Sequence, residues 1–193
     1  MRRAGRSGVI GLGLVLGLAA VGSGLLLWGL WIPAKAALGQ VLLERAWQRV
    51  ESEGGVARPW PWADTWPVAR LRLPAHHADF IVLAGASGES LAWAPGWVRS
   101  SARPGSSGNV AVAGHRDTHF RVLEDLEIGE EVVLQTPGGE TRYRVTGTQI
   151  VDESEVGVLA ETSRPTLTLV TCYPFDAVVP GGPLRWVVTA AGD

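Results

Sequence analysis

Cysteine is almost missing from this chain, with Cys172 the single one in 193 residues. An intramolecular disulfide is therefore excluded, and so is a structural zinc site built from several cysteines. The lone thiol is left with two readings: a buried, inert side chain, as free cysteine commonly is, or a group that is used chemically. Lysine is equally scarce, since Lys35 is the only one among the 17 Lys and Arg residues. An excess of Arg of this kind reflects coding bias as readily as chemistry, and no function follows from it. Positive charge is short overall. The formal net charge is -2, and the part from Gly8 onward, without Arg2, Arg3 and Arg6, is more acidic still, which is not the balance of a nucleic-acid binder. No internal repeat or low-complexity tract is visible. A Gly-rich phosphate loop is lacking too, because Gly181-Gly182 precedes a strand pattern and not a helix start.

Charge is absent altogether from Gly8 to Ile32, a run longer than the roughly 20 apolar residues that cross a hydrocarbon core. It reads as a transmembrane helix over 8–32. The positive-inside rule leaves residues 1–7, with Arg2, Arg3 and Arg6, in the cytoplasm and sends everything after Ile32 outward, while Trp28 and Trp31 fall at an interfacial belt. A cleaved signal peptide competes, because Ala34-Lys35-Ala36 has the A-x-A form. The apolar run exceeds the 7–15 residues of a usual signal core, which favours an uncleaved anchor. Residues 33–67 then form a spacer. Leu38, Val41, Leu42, Trp47 and Val50 recur at helical spacing up to Gly54-Gly55, a pattern compatible with packing on protein or on lipid. The stretch from Arg58 to Pro67, RPWPWADTWP, interleaves Pro and Trp and reads as a linker whose indoles cover one end of a core.

Residues 68–193 form the domain, of a size for one core. Runs with strand character cover Val68–Leu73, Phe80–Ala84, Asn109–Ala113, Glu131–Gln135, Thr141–Val151, Thr166–Thr171 and Leu184–Ala190. They are β-branched or alternating and are separated by Gly, Pro and Ser, which points to an all-β barrel or sandwich. Short helices are expected near Glu89–Ala92 and Phe120–Leu126, the second with Thr118 as its cap.

Three residues carry the chemistry. Cys172 closes the run TLTLVTC, with Pro174 two residues on, so the thiol stands where a buried strand ends and the chain breaks away. A thiol acting as a nucleophile needs a neighbour that favours the thiolate and donors aimed at the oxyanion it creates. His115, at the end of NVAVAGH, offers the first; Arg185, between Leu184 and Trp186 on the last strand, offers the second. Alone, His115 reads equally as a hydrogen-bonded structural residue and Arg185 as a solvated outer-face residue. His115 and His119 have a spacing that holds metal on a helix, but Arg116 stands where H-E-x-x-H has its Glu, and a guanidinium opposes a bound cation. His76-His77 reads as a surface turn. Asp152, Glu153 and Glu155 are of calcium's ligand type but read as a solvated acidic loop.

Together, the fragments GHRDTHF, TLVTCYP and PGGPLRWVV resemble, in that order, the signatures of the sortase family, with the TLxTC strand the most specific. The resemblance covers about Val68 to Ala190. It implies an all-β fold, the eight-stranded sortase β-barrel with short helices, and a cysteine transpeptidase in which Cys172 is the nucleophile, His115 the acid/base and Arg185 the stabiliser of transition-state charge. Thr171 is implied as a residue lining the bound peptide. No cofactor or metal is implied. The implied partners are a secreted protein with a C-terminal LPxTG-like sorting motif and an amine acceptor, and the loop Asp152–Pro165 is expected to select between substrates. Composition, the Trp-rich linker and the lack of a cell-wall-associated region look like the single-target sortases of Gram-negative proteobacteria, which implies an inner-membrane anchor and a periplasmic domain. Two other readings stay open: a thiol peptidase whose acyl-enzyme is resolved by water, and a non-enzymatic binding barrel with an inert Cys172.

Overall fold

The computed structural model describes residues 6–179 and 181–192. They fall into two compact units, the first ending at Gln40 and the second starting at Val41. The expected anchor and spacer helices are one continuous helix, α1 (Arg6–Glu53), which passes through Pro33 without a break. Arg2 and Arg3, expected in the cytoplasm, lie outside the described residues.

In the first unit Leu18, Leu26 and Ile32 are 65%, 69% and 71% exposed. By length and composition the helix is able to cross a membrane, and its apolar window has a mean hydropathy of 2.0. From Val41 on the helix behaves differently. Leu43, Ala46, Trp47 and Val50 are buried, and Leu43, Trp47 and Val50 cluster with Ile81, Leu83 and Ala94. Of the expected spacer stripe, Trp47 and Val50 therefore pack on protein, while Leu38 and Val41 stay exposed. Gly54 ends the helix in the left-handed region (φ 71°), and its N–H bonds the Val50 carbonyl at 2.9 Å, a turn that a residue with a Cβ resists. In the linker the Trp60 ring packs at 4.9 Å on Trp93, tilted by 57°, and Trp66 lies under the Arg99 guanidinium, whereas Trp62 is left open.

The rest of the second unit is a barrel of eight strands: β1 (Pro67–Leu73), β2 (Ala78–Ala84), β3 (Gly96–Trp97), β4 (Asn109–Ala113), β5 (Glu131–Thr136), β6 (Gly139–Asp152), β7 (Thr166–Cys172) and β8 (Leu184–Gly192). They run round the barrel in the order β1-β2-β3-β4-β7-β8-β6-β5, and β5 closes on β1. Pairing is antiparallel except for β2 with β3 and β4 with β7. β3 has no counterpart among the strands expected from residue pattern, because two residues are too few to show alternation. What marks it is Gly96, where an added Cβ would stand 2.2 Å from the Gly85 carbonyl oxygen.

Alternation along the strands fills the interior. Leu71, Val110, Val112, Leu134, Tyr143, Leu167, Leu169 and Val188 join Phe120 in one buried cluster, each large aliphatic contributing about 1.5–3 kcal/mol by leaving water. Four short helical pieces intervene among the described residues, two of them 3-10 turns at Pro74–His76 and Val156–Leu159. In α2 (Gly88–Leu91) the Ser87 hydroxyl accepts the Ser90 N–H, and a 3-10 turn spans His119–Glu124. Thr118 does not cap that turn as expected. The Phe120 N–H bonds back to the His115 carbonyl at 3.0 Å, which fastens the turn to His115, while the Thr118 hydroxyl sits 3.2 Å from His119 Nδ1.

Candidate active site

Strand register brings the three candidate residues to one end of the barrel. β7 and β8 are antiparallel with Cys172 directly opposite Arg185. β4 runs parallel to β7 with Ala113 beside Val170, and the Gly114 N–H continues that ladder onto the Val170 carbonyl at 3.1 Å. One further step places His115 at the level of the β7 end. The face follows from alternation: Leu167 and Leu169 point into the core, so Thr168, Val170 and Cys172 point outward, and Cys172 is only half-buried. Gly114 makes the exit possible. An added Cβ there would meet the Phe120 ring at 2.7 Å, so a larger residue would push the His115 turn off its support.

The same alternation turns Thr171, which the resemblance puts near the bound peptide, toward the barrel interior. It is 3% exposed, and its hydroxyl donates to the Gly114 carbonyl at 2.8 Å. Its observed contact is thus with the residue before His115. Opposite Thr171 stands Trp186, whose indole N–H donates to the Leu123 carbonyl at 3.1 Å. Tyr173 stacks on Trp186 at 5.9 Å and Phe175 meets it edge-on at 5.9 Å, so the chain leaving Cys172 is held on an aromatic cluster.

Arg185 is not idle. Its Nη1 donates to the Gly182 and Leu184 carbonyls at 2.7 and 2.9 Å, and its Nη2 pairs with Glu153 at 2.5 Å. The acidic loop beyond β6 therefore touches the site through Glu153. Its other carboxylates are committed locally: Asp152 accepts from the Ser154 N–H and hydroxyl, which together hold it below the usual carboxylate range, and Glu155 accepts from the Gly157 N–H. Among the described residues no group of three His, Cys, Asp or Glu is arranged to hold a metal. Farther along, Asn109 fastens the loop to the barrel, its Nδ2 donating to the Val158 and Ala160 carbonyls at 3.0 and 3.2 Å while its Oδ1 accepts from Thr168 at 2.8 Å.

Sequence reasoning passed over two arginines. Arg116 is 3% exposed, and Nη1 and Nη2 donate to the Pro174 and Ala177 carbonyls at 2.7 and 3.1 Å. Its Nε and Nη2 also grip Asp117. This pairing raises Arg116 above its ordinary value and holds the Asp117 carboxyl below its own. Arg121 donates to the Phe175 carbonyl at 2.6 Å and lies over the Phe175 ring. The available signal was an Arg directly after a strand-ending His, where burial forces the guanidinium to find carbonyls. His119 is pushed below the ordinary histidine range, first by burial and then by the His115 charge, and its ring meets Phe80 edge-on at 5.8 Å.

Residues 71–192 match the Sortase domain family. Sortase D of Bacillus subtilis (strain 168) is 31% identical over 119 residues, which cover 61% of this chain and 60% of that protein. Sortase A of Listeria monocytogenes is 29% identical over 109 residues, covering 54% of this chain and 49% of that protein. The chain thus spans about 60% or less of the length of these two relatives. Among solved structures, a Clostridium perfringens Sortase D5 transpeptidase superposes with a TM-score of 0.67 at 20% identity, over 81% of this chain and 99% of that one. Listeria monocytogenes sortase A superposes with a TM-score of 0.59 at 26% identity, over 66% of this chain and 87% of that one.

Proposed function

Because the chain belongs to the sortase family, we propose that it is a membrane-anchored cysteine transpeptidase, with Cys172 as nucleophile, His115 as acid/base and Arg185 as the cation that meets the oxyanion. The observation that carries this reading is the register of β7 on β8, which sets Cys172 opposite Arg185 while parallel β4 delivers His115 to the same end. The Cys172 thiolate attacks a backbone carbonyl in an LPxTG-like motif near the C-terminus of a secreted partner protein. The carbonyl π pair moves onto oxygen, where Arg185 donates to it; a planar, permanently charged guanidinium suits this once it gives up part of its hold on Glu153 and the Gly182 and Leu184 carbonyls. Collapse expels the amine, to which protonated His115 gives a proton, and leaves a thioester on Cys172. His115 then takes a proton from the incoming amine, the new amide forms, and the thiolate is released.

The loop from Asp152 to Pro165 borders the site, and through Glu153 it is in contact with Arg185, which supports a role in selecting the peptide. The apolar part of α1 is the anchor in this reading. The Trp-rich linker is the feature that favours a periplasmic domain on an inner membrane. Thr171, near the bound peptide in this reading, also holds the Gly114 carbonyl that precedes His115.

The test is diversion of the acyl-enzyme. With the full chain in detergent and a peptide carrying the sorting motif, hydroxylamine or a primary amine shifts product from hydrolysis to aminolysis, because an amine held at the site outcompetes poorly activated water. The ratio of the two products is the quantity to measure. Persistent hydrolysis at saturating amine, with an adduct on Cys172, makes the protein a thiol peptidase. No Cys172 adduct with any peptide or thiol-directed probe makes it a binding module.

A further inference from the structure

The chain from β6 to β7, residues 153–165, has little to hold it by burial. Its 3-10 turn, Val156–Leu159, contains no buried residue, and Val156 is 70% exposed. Polar contacts must therefore set its position. Near its start Glu153 reaches Arg185. Farther along the contact is Asn109, the first residue of β4, which is 3% exposed. A carboxamide has two N–H donors and a carbonyl oxygen, and all of them are engaged. The Nδ2 group donates to the Val158 and Ala160 carbonyls at 3.0 and 3.2 Å, and Oδ1 accepts from the Thr168 hydroxyl at 2.8 Å. These bonds fix the orientation, because a carboxamide turned over would set its oxygen against two carbonyls. The Asn109 backbone pairs with Thr166, where the loop enters β7. A buried amide is costly unless every donor finds a partner, and here both donors go to the loop.

We propose that Asn109 is a positioning residue for peptide selection: it tethers the loop of residues 153–165 in the place from which the loop meets the peptide. This rests on the sortase reading, in which that loop borders the bound peptide. Asn109 stands at the opposite end of β4 from Ala113 and the His115 turn, so it acts through the Val158 and Ala160 carbonyls and not on the reacting atoms. The facing of Cys172 and Arg185 comes from β7 on β8 and does not need the carboxamide. A loop already in place pays no ordering entropy when the peptide arrives, whereas a released loop has to be ordered at each binding event. The effect of Asn109 therefore falls on peptide affinity and leaves the chemical step nearly alone.

The test has two arms, both with the full chain in detergent at pH 8: hydrogen exchange over residues 153–165, and steady-state acyl transfer from a peptide with the LPxTG-like motif to hydroxylamine. N109D keeps the shape and turns two donors into an acceptor that faces two carbonyls; N109A deletes the group; T168V removes the hydroxyl that orients the carboxamide. In N109D the loop is expected to exchange about tenfold faster while β7 and β8 keep their parent rates, and KM is expected to rise about tenfold with kcat changed less than threefold, the scale set by losing two bonds to a buried group. N109A and T168V are expected to move the same quantities in the same direction by about threefold. Melting temperature is read for each variant, and if N109D does not fold, N109A and T168V still decide. Loop exchange equal to that of the parent chain overturns the tether. Faster exchange with unchanged KM overturns the selecting role, as does a fall in kcat at constant KM. A parent chain that forms no acyl-enzyme with the peptide removes instead the transpeptidase reading on which the selecting role stands, and the exchange arm, which needs no substrate, shows separately whether Asn109 holds the loop.

Discussion

The two faces of β7 are built from one run of seven residues and do opposite things. On the inner face Leu167 and Leu169 are fully buried, and Thr171 is 3% exposed. On the outer face Thr168 is 1% exposed under the Asn109 carboxamide, between half-buried Thr166 on one side and half-buried Val170 and Cys172 on the other. The inner face closes the barrel and has one requirement, to be apolar and filled. The outer face is covered at Thr168 by Asn109 and the β6–β7 loop it holds, and is half open at Val170 and Cys172. The comparison teaches that the candidate site is defined by where cover stops as much as by which residues stand there.

The sharpest way to test that division is to truncate one residue on each face. Cys172→Ala is expected to abolish acyl transfer and leave the melting temperature nearly unchanged, since a half-exposed thiol contributes little packing. Leu169→Ala is expected to cost about 2–5 kcal/mol of stability, read by denaturant unfolding, while surviving folded molecules keep their reaction rate. His115→Ala belongs with Cys172 and should lose on the order of 10²–10⁴ in rate. Turnover in Cys172→Ala, or an unstable Cys172→Ala barrel, would erase the distinction between the faces.

Thr171 is the place where the faces communicate, because an inward hydroxyl holds the carbonyl of the residue before His115. Thr171→Val keeps shape and removes the donor, leaving the Gly114 carbonyl short of a partner in a buried site. The expected outcome is a roughly tenfold fall in kcat with little change in KM, in line with the about 1–3 kcal/mol that an unpaired buried acceptor costs, and Thr171→Ser should restore most of it. A change in KM alone would mean that Thr171 meets the peptide after all.

Much of this was legible in the residues. β4 was read with its observed ends, and the other strands to within two residues, because β-branched alternation is a local signal and Gly, Pro and Ser clusters punctuate it. The candidate trio was legible as three strand ends, but only the order of the three motifs joined them. Pairing Cys172 with Arg185 requires the register of β8 on β7, which no local pattern contains. β3 escaped because its two residues owe their place to the Gly96 backbone meeting Gly85. The Arg116 clamp escaped because its partners are carbonyls 58 and 61 residues away, and a carbonyl leaves no mark in sequence. The helix end at Leu43–Val50 looked the same whether protein or lipid was to cover it.

The smallest expected effect lies next to the site, at His119, and it compares a group pressed on the core with one at the mouth. Burial against Phe80 and the charge of His115 lower His119 below the ordinary value of 6.5. In the unfolded chain the same imidazole takes up a proton as pH falls through about 6.5. The unfolded state therefore binds more protons, and stability is fully present above that pH and drops as pH goes from about 7 toward 5. The slope from one such group cannot exceed about 1.4 kcal/mol per pH unit, and partial solvent exposure keeps it well below that. His119→Phe keeps the ring on Phe80 and removes the proton, so its melting temperature should be flat across this window where that of the parent chain falls. Below about pH 4 both should lose stability together, because Asp117, Glu130 and Asp152 are all held under the usual carboxylate range by bonds to Arg116, His76 and Ser154 that protonation breaks. A variant that still softens between pH 7 and 5 would move the sensitivity off His119 and onto another histidine of the barrel.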